Sequence, residues 1–179
     1  MVEAITDRRA THADGDMLRR LADRSIAELQ RDFLTEDQIE ASRAIMGIDT
    51  QLIDDGTYFV VEIGDELAGC GGWSRRATLY GGDATSGRDA ALLDPTIDAA
   101  RVRAMYTSPE FARRGVGRRI LELCEADARA EGFRRLELMA TLSGRSLYES
   151  YGFVAIEDVV DDRGGVPVPL VRMGRAIGE

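Results

Sequence analysis

Thr107-Ser108-Pro109-Glu110-Phe111-Ala112-Arg113-Arg114-Gly115-Val116-Gly117-Arg118 is the stretch on which the reading of the fold turns. Before it, Arg101 to Thr107 has the composition of a strand, and Ser108-Pro109 stops it because proline brings no N–H to a ladder. After it, Gly115 to Gly132 carries apolar residues at helical spacing: Val116, Ile120, Leu121, Cys124 and Ala128. A strand, a glycine turn and a helix therefore follow one another directly. Gly115 and Gly117 let a ligand approach the backbone closely, and the first turn of the helix leaves unpaired N–H groups at a positive dipole end. Such a turn is suited to phosphate. Arg113, Arg114, Arg118 and Arg119 add local positive charge, which favours a pyrophosphate-bearing ligand over a neutral one. The spacing is neither Gly-x-Gly-x-x-Gly nor a loop ending in Gly-Lys-Ser/Thr, so the dinucleotide and nucleoside-triphosphate signatures are both missing.

Upstream of the turn, Ala4 to Thr11 reads as a first strand, and Asp14 as the N-cap of a helix with Met17, Leu18, Leu21 and Ile26 on its apolar side. Thr35-Glu36-Asp37-Gln38 has capping-box form and opens a second helix that runs to Gly47. Asp49 to Asp55 is a short helical turn. Tyr58 to Ile63 and Leu67 to Trp73 form a hairpin about Gly64-Asp65. Arg75 to Asp98, rich in glycine and aspartate, is a long loop of the kind that borders a functional site. Downstream, Leu136 to Ala140 is a strand, Arg145 to Tyr151 a short helix ended by Gly152, and Phe153 to Val160 and Pro169 to Met173 are strands. This order predicts an α/β (α+β) architecture: a mixed sheet flanked by helices, in a single domain over residues 1–179.

Composition narrows the function classes. A chain that is 44% hydrophobic and 31% charged can bury a real core. Its net charge of -9 opposes nucleic acid as a partner, because that affinity comes from cations displacing counterions. All 23 basic residues are arginine. No stretch approaches the roughly 18 apolar residues of a membrane span, and Met1 to Ala10 is charged, so a cytoplasmic protein with no membrane partner is expected. Cys70 and Cys124 lack a Cys-x-x-Cys spacing, and His12 stands alone, so neither a metal site nor a histidine-based triad is expected.

The central stretch resembles the GNAT family of N-acetyltransferases. The family signature is a strand, Val-x-Pro-(Glu/Asp), then Arg/Gln-x-x-Gly-x-Gly/Ala at a helix start. Here it reads Thr107-Ser108-Pro109-Glu110 and Ala112-Arg113-Arg114-Gly115-Val116-Gly117, with Thr107 in place of valine and Ala112 in place of the first Arg/Gln. A second element, Leu/Phe-Tyr-x-x-x-Gly-Phe, reads Leu147-Tyr148-Glu149-Ser150-Tyr151-Gly152-Phe153. The two matches span residues 101–153 in the family's order. The resemblance implies the acyl-CoA N-acyltransferase fold, with a largely antiparallel sheet, acetyl-CoA as cosubstrate and no metal. It also implies transfer of an acetyl group to a primary amine by direct attack.

By the same resemblance, Tyr148 protonates the departing thiolate, and Tyr151 is the rival acid. Arg113, Arg114, Gly115, Val116, Gly117 and Arg118 hold the coenzyme's phosphates. The backbone of Met105, Tyr106 and Thr107, at a strand bulge, pairs with its pantetheine arm. On that reading a bulky residue at Gly117 weakens coenzyme binding without unfolding the domain. The strand offers no glutamate base, leaving Glu62, Glu66 or a water chain. Strict alternation puts Arg101, Arg103 and Met105 on one side and Val102 and Ala104 on the other. If the arginines face the cleft, they suit an acidic acceptor. Trp73 either lines the acceptor pocket, with Arg75, Arg76 and Tyr80, or fills the core beside a bulge. A noncatalytic acyl-CoA-binding or sensor domain is the alternative function, and an edge strand of the sheet is a place for homodimer pairing.

Overall fold

The computed structural model describes residues 2–178. Seven strands, β1 (Ile5–Arg9), β2 (Tyr58–Ile63), β3 (Glu66–Ser74), β4 (Ala100–Thr107), β5 (Arg135–Thr141), β6 (Val154–Asp161) and β7 (Val168–Ala176), form one sheet in the order β1-β2-β3-β4-β5-β7-β6. Every neighbouring pair is antiparallel except β4 and β5, which run parallel. The expected mixed, largely antiparallel sheet flanked by helices is what the chain forms. Helices α1 (Gly15–Leu29), α2 (Glu36–Ser42) and α3 (Thr50–Asp54) are joined to one face through a core that includes Leu18, Leu21, Ile26, Tyr58 and Tyr106. Helices α4 (Val116–Ala130) and α5 (Arg145–Tyr151) cover the other, around Ile120, Leu121, Trp73, Leu136 and Phe153.

Two expected helix boundaries differ from the structure. Asp14 does not cap α1 with its side chain. Its carboxylate instead accepts from the Thr11 N–H at 2.8 Å and from Arg8 at 2.8 and 2.9 Å, closing a short 3-10 turn, and Met17 is exposed. Helix α2 begins at the expected capping box, where Gln38 N–H donates to Thr35 Oγ1 and Thr35 N–H to Gln38 Oε1. It ends at Ser42 instead of running to Gly47, because the backbone bonds tighten to three-residue steps at Arg43, Ala44 and Ile45. Residues 45–47 are thereby released to form a wall of the cavity described below.

The sheet opens at its one parallel junction. Strands β4 and β5 pair only at Ala100↔Leu136 and Arg101↔Glu137, so beyond Arg101 they splay and the β4 edge facing β5 has no ladder partner. A bulge reinforces the splay. Between the pairs Cys70↔Tyr106 and Gly72↔Arg103, β3 contributes one residue and β4 two, Ala104 and Met105, with Ala104 at φ 50°. The buried Tyr58 hydroxyl donates to the Ala104 carbonyl at 2.5 Å and so holds the bulge from behind. The glycine run of β3 fits the same feature: a Cβ on Gly71 would lie 2.7 Å from both Met105 Cγ and Ile120 Cγ2. The close approach that this run permits is therefore to α4 and the bulge.

Buried hydroxyls and thiols set the alkaline limit of the fold. Burial raises Tyr58, Tyr106 and Cys124 above their ordinary values, and pushes Cys70 up to about 12 and Tyr151 to about 12, the latter helped by its hydrogen bond to Glu125. The unfolded chain releases these protons from about pH 9 to 10, before the folded one does, so the stability they carry is present below that range and lost as pH rises through it toward 12. At the acid end, hydrogen bonds from Arg8 and Arg163 hold Asp14 and Asp161 down to about 2, so their contribution is lost as pH falls from 3.8 toward 2. Thermal melting across pH is expected to show a plateau with a steep alkaline fall beginning near about pH 9. A transition temperature unchanged to about pH 11 would contradict it.

Candidate active site

The splay opens onto a cavity of about 80 Å³. Its walls come from β4 (Val102 to Tyr106), from β5 (Leu138, Met139 and Thr141), and from Tyr148 of α5. They also come from residues 45–47 after α2, from Leu79 to Gly81 of the long loop, and from Leu170 of β7. The parallel junction puts the cavity where ligands settle in open sheets, beside the carboxyl ends of parallel strands that part from one another.

The phosphate turn lies directly after β4. Its backbone is left-handed at Arg113 (φ 61°) and at Gly115 (φ 85°), and Gly115 is the residue from which α4 starts. The first inward helix bond at this end is Arg119 N–H to Gly115 O at 3.0 Å. Among the described residues, the backbone N–H groups of residues 113–118 have no acceptor in the chain. That is six consecutive donors at the positive end of a helix of 15 residues. A non-glycine residue held left-handed, at a cost of about 1–3 kcal/mol, is a feature that collects at ligand clamps. The arginines differ in availability. Arg113 is exposed and has no carboxylate partner among the described residues. Arg114 lies 3.6 Å from Glu3 and over the Phe111 ring, and Arg118 lies 3.7 Å from Glu122 and over Tyr151. Arg119 is turned away to Asp7 at 2.8 Å.

The two glycines have different reasons. Gly115 has open space around its missing side chain and is needed for its positive φ. At Gly117 a Cβ would sit 2.5 Å from Leu147 Cδ2, and the residue is buried against α5. Its side-chain face meets the protein, so the expectation that a bulky residue there would spare the fold is replaced by one in which it disturbs the α4/α5 contact.

Tyr148 reaches the cavity from α5. Among the described residues its hydroxyl has one hydrogen-bond partner, Met105 Sδ at 3.8 Å, and its ring stands edge-on to Phe153 at 5.9 Å. Burial raises its phenol well above the ordinary value, so it holds its proton at neutral pH. Tyr151 is directed elsewhere: its hydroxyl donates to Glu125 Oε2 at 2.5 Å while Arg175 stacks on its ring at 4.6 Å. It does not border the cavity, which removes the rival acid.

Several sequence expectations are corrected by the bulge and by the packing around it. Met105 faces α4, with Val102 and Ala100, whereas Ala104 and Tyr106 face α1. The extra residue resets the alternation, so Met105 and Arg103 are not on one side. Arg101 is bound to Glu137 at 2.9 Å. Arg103 is buried and donates to Asp49 Oδ2 at 2.8 Å, to Gly81 O at 2.7 Å and to Thr78 O at 3.3 Å, so it fastens the long loop to the splay. Trp73 is fully buried, with its indole N–H on Asp127 at 2.8 Å and its ring against Phe133, and is a core residue. Arg75 is paired with Glu131 and Arg76 with Asp55, leaving Tyr80 as the one member of that group beside the cavity. Glu62 lies by Arg8 and Glu66 is exposed at the hairpin, both away from the cavity walls.

Ile45, Met46, Gly47 and Leu170, which line the cavity, carry no motif that could have marked them. Among the described residues no group of three or more His, Cys, Asp or Glu side chains gathers to hold a metal, and no helix is long and apolar enough to cross a membrane.

The sequence model of the acetyltransferase (GNAT) family matches residues 23–153, which takes in β2 to β5 and both signature elements. The chain belongs to this family. Among GNAT proteins it is 31% identical over 110 residues to the uncharacterized N-acetyltransferase YsnE of Bacillus subtilis (strain 168), over 59% of this chain and 60% of that relative's length. Solved GNAT structures share the fold at low identity. A GCN5-related N-acetyltransferase from Rhodopseudomonas palustris superposes with a TM-score of 0.72 at 17% identity, covering 98% of each chain. PaiA N-acetyltransferase from Thermoplasma acidophilum, solved in complex with coenzyme A, does so with a TM-score of 0.63 at 15% identity, covering 97% of this chain and 99% of that one. The ribosomal-protein-S18-alanine N-acetyltransferase of Escherichia coli gives 0.60 at 15% identity, covering 98% and 96%.

Proposed function

We propose that this GNAT protein is a cytoplasmic, single-domain N-acetyltransferase that takes the acetyl group of acetyl-CoA to a primary amine by direct attack. The observation that carries the reading is the run of six N–H groups at residues 113–118 with no acceptor among the described residues, set beside a splayed strand edge and a half-buried, protonated tyrosine. The residues fit the coenzyme. Backbone donors with Arg113, Arg114 and Arg118 answer a pyrophosphate, and the unpaired β4 edge at Met105, Tyr106 and Thr107 answers an amide-bearing arm. Acetyl-CoA supplies the activated thioester carbonyl. Backbone donors of β4 polarise that carbonyl and hold it for attack. As the acceptor nitrogen bonds to the carbonyl carbon and the carbon–sulfur bond breaks, Tyr148 gives its proton to the sulfur. The nitrogen gives up a proton to water, and Tyr148 is reprotonated from solvent. With no carboxylate among the described residues that wall the cavity, no side chain serves as general base in this scheme. Edge strand β6, with Val154, Ile156 and Val160 outward, is the proposed place for homodimer pairing.

Calorimetric titration with acetyl-CoA, CoA and NADH tests the reading. Saturable binding of both CoA ligands and none of NADH is expected. Absence of CoA binding would remove the acetyltransferase assignment, and binding with no thiol release on any amine would favour an acyl-CoA-binding or sensor domain.

A further inference from the structure

The walls of the splay cavity differ in charge from the rest of the protein. The chain has 32 acidic residues and a net charge of -9, yet among the described residues no aspartate or glutamate lines this cavity. Its walls are apolar and uncharged polar in nearly equal measure, with Ile45, Met46, Leu79, Met139 and Leu170 in the apolar part. The two carboxylates bonded to wall residues Arg103 and Tyr80 are neutralised. Asp49 is held by Arg103 at 2.8 Å and Arg88 at 2.9 Å, and Asp161 by Arg163 at 2.7 Å while it accepts from the Tyr80 hydroxyl at 2.6 Å. Arg103 is the charged residue on the wall, 3% exposed, and its Nε–H has no hydrogen-bond partner among the described residues.

Resting on the acetyltransferase reading, we propose that the acceptor is an amine with an apolar side chain and an adjacent carboxyl or carbonyl oxygen: a hydrophobic amino acid or the first residue of a peptide. Arg103 is the positioning residue that receives this oxygen on its unpaired Nε–H, where a buried donor otherwise goes unsatisfied. A polyamine fits poorly, because its second ammonium would be buried with no anion to pair with. The same surroundings help the chemistry. The apolar part of the wall favours the uncharged amine, which is the form that attacks, so a cavity without a carboxylate base among the described residues is consistent with this acceptor class.

The test measures thiol release from acetyl-CoA by the full chain with leucine, leucinamide, Leu-Gly-Gly, isopentylamine and spermidine. Leucine or Leu-Gly-Gly is expected to exceed isopentylamine, which lacks only the carboxylate, by about tenfold or more in kcat/KM, and to exceed spermidine by more. Acceptance of leucine alone assigns free amino acids; acceptance of Leu-Gly-Gly as well assigns peptide N-termini. Arg103→Lys, which keeps the charge but gives up the Nε–H and part of the ties to Asp49, Thr78 and Gly81, is expected to lower kcat/KM for both acceptors, and to lower it severalfold more for leucine than for isopentylamine. If that variant fails to fold, the comparison of acceptors on the unaltered chain decides. Equal rates for leucine and isopentylamine, a preference for spermidine, or no transfer to any carboxyl- or carbonyl-bearing amine by a chain that binds acetyl-CoA would overturn the proposal. Failure to bind acetyl-CoA is a different result and removes the acetyltransferase reading itself.

Discussion

Tyr148→Phe is expected to lower kcat by about 100-fold or more while acetyl-CoA affinity stays within about twofold, measured by steady-state thiol release and by calorimetry. The size follows from what the hydroxyl touches. Its single protein contact is a thioether at 3.8 Å, too weak to anchor the ring, so removing the oxygen orphans no buried partner. The ring keeps its edge contact with Phe153 and the fold is unaffected. A thiolate leaving without a proton donor is the costly step, and about 100-fold corresponds to about 2.7 kcal/mol of barrier. Tyr151→Phe is the control. It breaks the 2.5 Å bond to Glu125 and so alters stability, but the residue lies off the cavity and turnover should be retained. Equal kcat for Tyr148→Phe and the unaltered chain would remove Tyr148 from the mechanism.

What the sequence showed depended on whether a residue's neighbours in space are also its neighbours along the chain. The phosphate turn was legible because its parts are contiguous: a strand stopped by Ser108-Pro109, a left-handed glycine and a helix start, all within one short stretch. The capping box at Thr35 and the Gly152 end of α5 were legible for the same reason. Arg103 was not. Its partner Asp49 is 54 residues away, and the pairing turns an arginine that local alternation offers to a ligand into the tie between β4, α3 and the long loop. The bulge shows the limit most plainly. Period-two alternation along β4 fails at Ala104 because Gly71 on the neighbouring strand leaves room for the chain to step out and Tyr58 holds it there, and neither lies near Ala104 in sequence. Nor does periodicity reveal the end of α2, where apolar residues continue to Met46 while the backbone tightens at Arg43 and leaves the helix.

Gly117→Val is expected to destabilise the fold by about 1–3 kcal/mol, and Leu147→Ala in the same chain to recover much of the loss. The added side chain meets Leu147, 2.5 Å from the Cβ position, and Leu147 immediately precedes Tyr148 on α5. Relief by moving α5 carries the phenol with it. Relief by moving the start of α4 displaces the N–H donors of residues 116–118. Rotation of the Leu147 methyl relieves part of the clash, and the remainder falls on these two movements, both of which reach function, so the single variant should lose turnover as well as melting temperature. Shortening Leu147 frees the space without altering Tyr148 or any backbone donor. A thermal-melt and kcat cycle over the two single variants and the double variant measures this directly, with a coupling of about 1 kcal/mol or more expected for residues in contact. Additive losses would show that the two side chains do not share that space. A single variant with full stability but weakened coenzyme binding would return Gly117 to the role of a ligand-facing glycine. The cycle therefore distinguishes a glycine required by the coenzyme from one required by the helix that carries the proposed acid.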